Sequence, residues 1–117
     1  MDVQTFNRVV ENALKDCKAI LVDRAKMYAK DGDRLSNFKR AAQVRKDRFL
    51  LQIPVDLLQK QLVALLDDID EHETLANSGN SKPFKTANIN EWTRDIINYM
   101  ILIRALCDEY NESLIEE

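Results

Sequence analysis

Asp67 and Glu71 share a helical line with Lys60 and Ala64, with Asp70 beside them, because spacings of three and four residues return side chains to one face. Glu91, Asp95 and Asn98 form a second such line. Brought together, the two lines would offer the oxygen donors that Mg²⁺ prefers, with open positions for phosphate oxygens or water. A different chemistry gathers in DRLSNFKRAA, residues 33–42, which comes after Tyr28 and the turn at Gly32. Arg34 and Lys39 at a helix entrance suit a phosphate, Asn37 can read a base or sugar, and the Phe38 ring can stack on a base.

Each group also has a plain structural reading. Acidic residues on helix exteriors are usually solvated, which would account for Asp67, Asp70 and Glu71. Phe38 falls at a spacing that suits the core, and the nearby cations can simply pair with acids elsewhere. Asp95 and Asn98 interrupt the apolar run from Ile96 to Ile103 or stand at its edge, where polar groups are costly unless paired. A structural hydrogen bond and a ligand contact explain them equally well. His72 has no nucleophile near it in sequence and reads as an exposed or helix-ending residue.

The elements that position these residues are helical. Only two glycines and two prolines occur in 117 residues, too few for the many tight turns of a sheet protein. Phe6, Val10, Leu14, Cys17, Leu21 and Tyr28 recur at helical period, so a first helix is expected from Val3 to about Ala29, capped by Asp2. Asp33 is placed to cap a short basic second helix carrying Leu35, Phe38, Ala41 and Ala42. Pro54 should open a third, with Val55, Leu58, Leu62, Leu65, Leu66 and Ile69 as its core stripe, ending near Ala76. Residues 77–90 have no period and are expected as an exposed loop. Asn88 and Glu91 resemble a capping box opening a fourth helix, with Trp92, Ile96, Tyr99, Ile103, Leu106 and Tyr110 inward, to about Leu114. Ile97 and Ile101 make that helix apolar on a second side, which implies another subunit and hence a homo-oligomer. The fold class expected is all-α, a four-helix-bundle-like single domain over residues 1–117.

Charge is divided unevenly: residues 1–50 hold 12 Lys/Arg and 7 Asp/Glu, residues 51–117 hold 5 and 13. Folding one half on the other would relieve both, and a phosphate ligand with a metal would use the same division. Six of the basic residues lie within 34–48, yet the overall charge is −3 and no nucleic-acid-binding signature accompanies them, so a nucleic-acid partner is not expected. No apolar run approaches a membrane span and no export signal is recognised, so a cytoplasmic protein is expected. Cys17 and Cys107 read as buried thiols.

The order YAKDGDRLSNFKRAA, LVALLDDIDE, EWTRDIINYMILIRALCDEY resembles small phage and prophage proteins of the nucleotide-modification-associated group, distantly similar to MazG-like all-α NTP pyrophosphatases. The resemblance spans roughly residues 20–110. It implies an oligomeric helical bundle, in the host cytoplasm if phage-encoded, with carboxylates of two helices around Mg²⁺ and a nucleotide on the remaining faces. Those carboxylates would be Asp67, Asp70 or Glu71, then Glu91 and Asp95. The spacing departs from the MazG-like Glu-x-x-Glu and Glu-x-x-Asp pairs, since this chain has Asp67-x-x-Asp70 and Glu91-x-x-x-Asp95. One residue of slippage turns a side chain about 100° around a helix, so nucleotide binding and metal-dependent hydrolysis separate here.

These residues admit three readings. The first is a phage-type protein that holds a nucleotide, such as a defence messenger, through Tyr28, Arg34, Asn37, Phe38, Lys39, Lys60 and Asn98 without metal. In the second, a Mg²⁺-dependent pyrophosphohydrolase uses Asp67, Glu71, Glu91 and Asp95. The third is a helical interaction protein with no pocket.

Overall fold

A computed structural model describes residues 1–24, 32–44 and 49–116, and they are all-helical. Helix α1 spans Val3–Lys18, α2 spans Ser36–Val44, α3 spans Gln52–Asn77 and α4 spans Thr86–Glu116. No described helix is long and apolar enough to cross a membrane.

Asp2 caps α1 as its sequence position predicts, its carboxylate accepting from the Thr5 N–H at 2.7 Å. The α-helical pattern then stops at Lys18, well short of Ala29, and Ala19–Asp23 form a π-helical turn. Residues 25–29, with Tyr28, lie outside the described residues. A π turn accommodates an extra residue and so rotates the next stretch of chain relative to an α-helix. Of the expected α1 stripe, Cys17 is buried and Leu21 half-buried, whereas Phe6, Val10 and Leu14 face solvent.

The short α2 starts after Asp33, whose carboxylate accepts from the Leu35 N–H at 3.0 Å while its carbonyl accepts from Ser36. Leu35 and Phe38 turn inward and join Ile53, Leu102 and Leu106 in the core, with Leu21, Ala41, Leu50 and Tyr99 against them. The core therefore sits where α2 crosses the start of α3 and the second half of α4. Pro54 is fully buried in the first turn of α3, two residues after the helix begins, where its missing N–H has no helical acceptor to lose.

Helices α3 and α4 form an αα-hairpin whose connection is shorter than expected, because α4 begins at Thr86. The Lys85 carbonyl accepts from Ile89, so Asn88 lies inside the first turn and is not the cap. Polar residues through this turn hid a helix that Ile89 and Trp92 hold by partial burial. α3 ends in a Schellman arrangement, with Asn80 N–H donating to Leu75 and Gly79 N–H to Ala76, and Gly79 at φ 80°. His72 is not an exposed helix end: its ring stacks on Phe84 at 3.9 Å and lies 2.7 Å from the Asp68 carbonyl and 3.3 Å from that of Pro83. It ties the connection to α3.

The inward face of α4 also differs from the expected one. Asn98, Leu102 and Leu106 are its buried residues, while Tyr110 is exposed and meets Phe49 edge to face at 5.6 Å. Leu62, Leu66 and Ile69 of α3 and Ile97, Met100 and Ile101 of α4 remain exposed.

Candidate ligand-binding cavity

Asp95, Asn98, Tyr99 and Leu102 stand three, four and seven residues apart, so one face of α4 presents all four together. They line a partly open cavity of about 150 Å³. Arg34, Asn37 and Phe38 close it from the start of α2, Ile20 and Leu21 from the π turn, and Leu57 from α3. The lining is mainly apolar and aromatic, with four polar side chains converging on it, the composition of a small-molecule site.

Asn98 is only 5% exposed, and its Nδ2 donates to the Cys17 carbonyl at 3.4 Å. A carbonyl can only accept, so this contact fixes the amide orientation and leaves Oδ1 as the acceptor at the other end. That Oδ1 is buried and has no hydrogen-bond partner among the described residues, and the same holds for Asn37 Oδ1. Leaving a buried polar atom unpaired costs about 1–3 kcal/mol, and both asparagines belong to the lining of one cavity. Arg34 Nε donates to the Leu21 carbonyl at 3.4 Å, tying the α2 entrance to the π turn. Asp95 accepts from Arg94 Nε at 3.0 Å. Burial, chiefly, pushes the Cys17 thiol above its ordinary value.

Arg34, Asn37, Phe38 and Asn98 are thus brought together, joined by Asp95 and Tyr99, which the sequence assigned to a metal line and to the core. The regular three-and-four spacing from Asp95 to Leu102 was the signal for adding them. Lys39 turns elsewhere: its ammonium lies 2.6 Å from Asp33 and 2.8 Å from Glu109. Its hydrogen bonds to these carboxylates raise its pKa, and its hydrogen bond to Asp33 lowers that of Asp33. Lys60 is exposed on α3 and does not line the cavity. Since the Asp33 carboxylate itself occupies the entrance of α2, that helix end is not open to a phosphate.

The carboxylates assigned to Mg²⁺ are dispersed. Asp67 is exposed, Glu71 pairs with Lys82 at 3.0 Å, Asp95 lines the cavity, and Glu91 lines a separate groove between α1 and α4. Among the described residues no three His, Cys, Asp or Glu side chains gather as a metal site requires, so these donors do not fit a shared ion. No family model matches the chain, and searches of curated proteins and of solved structures give no match.

Proposed function

We propose that this protein binds a nucleotide and holds it intact, with the base in the Asn37–Asn98 cavity. The observation that carries the reading is the pair of buried, unpartnered amide oxygens on two residues that line one largely apolar space. Acceptors without donors call for a ligand that brings N–H groups, and the amino-bearing bases do so while offering a flat apolar face. Phe38 and Tyr99 supply aromatic surface for that face. A cavity of about 150 Å³ suits a ring system and is smaller than pockets that engulf whole ligands of roughly 300–1,000 Å³. Sugar and phosphates therefore extend beyond it, and Arg34 is the cation on its lining.

The reading requires no metal and fits a scavenger of nucleotide signals, including a phage protein that withholds a defence messenger. Incubation with a panel of NTPs, dNTPs and nucleotide messengers, with Mg²⁺ or EDTA, then heat release and chromatography, tests it. Recovery of one intact ligand in both conditions is expected. Retention of nothing overturns nucleotide binding, and EDTA-sensitive conversion to a monophosphate replaces sequestration with hydrolysis.

A further inference from the structure

The Asn37–Asn98 cavity carries a third accepting group besides its two amide oxygens. Asp95 stands one turn before Asn98 on the same face of α4 and adds a carboxylate to the lining, its side chain 20% exposed. An ionised carboxylate only accepts, with about four lone-pair sites on its two oxygens, and Arg94 Nε at 3.0 Å takes one of them. Asn98 Nδ2, the donor one turn along, is already spent on the Cys17 carbonyl.

The bases differ in what they present to such a lining. Adenine and cytosine each offer one amino group beside a ring nitrogen that is itself an acceptor. A carboxylate that takes the amino hydrogen then sets its second oxygen against a lone pair. Uracil and thymine offer a single N–H between two carbonyls. Guanine alone among the common bases offers two adjacent N–H groups, N1–H and the N2 amino group, and a carboxylate accepts two parallel N–H bonds as it does from an arginine fork. The second N2 hydrogen remains for an asparagine oxygen. Hydrogen bonds to an ionised acceptor are also roughly twice as strong as neutral ones, so the carboxylate outweighs either amide in choosing the base.

We infer that the ligand is a guanine nucleotide and that Asp95 is the residue that selects the base. The inference rests on the nucleotide reading above and names the base within it. It gives Asp95 a task separate from the metal cluster that these carboxylates do not form among the described residues.

Calorimetric titration of the full chain with GTP, ITP, XTP, ATP and CTP, in EDTA, tests it. GTP should bind about tenfold or more tightly than ATP or CTP, the discrimination of one good bidentate pair. ITP, which lacks the N2 amino group, should bind more weakly than GTP, and XTP more weakly still, because it sets an oxygen at C2 against the carboxylate. Asp95→Asn keeps the shape of the side chain and replaces one acceptor with a donor. It should lose GTP by about tenfold or more and bind XTP better than the wild type does, a gain that damaged packing would not produce. If circular dichroism shows that this variant has lost helix, the wild-type order of GTP, ITP and XTP decides, and equal affinities overturn the inference. ATP or CTP bound as tightly as GTP overturns guanine selection and leaves nucleotide binding standing, whereas no nucleotide bound overturns both. An unchanged preference in a folded Asp95→Asn chain overturns the role given to Asp95.

Discussion

Asn37 and Asn98 each bury an amide oxygen that no donor among the described residues meets, an arrangement that costs stability. Asn37→Leu removes one of these oxygens, so its melting temperature should equal or exceed that of the wild type, while nucleotide affinity falls at least tenfold, about 1.4 kcal/mol. Calorimetric titration beside a thermal melt checks both halves, and equal affinity would remove Asn37 from the site. Half of this arrangement was legible in the sequence. An amide inside the apolar run from Ile96 to Ile103 marks a polar group with a specific partner, and one end of Asn98 does meet the Cys17 carbonyl. Its free end was not legible, because only the fold brings Asn37 of α2 to the same cavity. Asp33 and Lys39 make a separate prediction. The lowered Asp33 pKa contributes stability that is present above its ordinary 3.8 and lost as pH falls through the folded value. The raised Lys39 pKa contributes stability that is present below 10.5 and lost as pH rises through its folded value. Lys39→Met should therefore lower the urea midpoint at neutral pH and flatten its change at both extremes.

Among the elements, the long helices were the most legible because their apolar period runs for many turns and their punctuation is chemical. Pro54 fits only an early turn, and Gly79 marks the end of α3. Gly79→Ala places a side chain at φ 80° and should cost about 1 kcal/mol, a fall of roughly 4 °C in melting temperature. The start of α4 was illegible because Thr86, Asn88 and Asn90 look like loop residues, and the π turn because Cys17 and Leu21 keep an α-like spacing across it. His72 was misread for want of its partner, since Phe84 lies twelve residues away across the connection. His72→Ala removes the ring stack and both carbonyl contacts. Residues 78–85 should then exchange their amide protons markedly faster while the middle of α3 is unchanged, which hydrogen exchange measures.

At the scale of the molecule, sequence periodicity identifies which faces seek burial and is blind to what buries them. The stripes of α1 and α3 were both read as core, and the chain leaves much of each outside. Only the three-dimensional path distinguishes a core made within one chain from one completed by another. If a second copy completes it, folding and association are linked by mass action, and the melting temperature should rise with protein concentration. Phe6→Asp with Leu14→Asp should abolish that dependence. A melting temperature independent of concentration in the wild type would argue against linked folding.

Cys17 lies at the base of α1, 4% exposed, its sulfur 4.0 Å from the Arg94 carbonyl. Its elevated pKa keeps it in the unreactive thiol form as well as out of reach. The chain thus carries its own reporter of α1 detachment: a thiol silent to alkylating reagents while the helix is seated and unmasked when it lifts from α4. Cys107, less deeply covered on α4, provides an internal clock against which that opening can be timed.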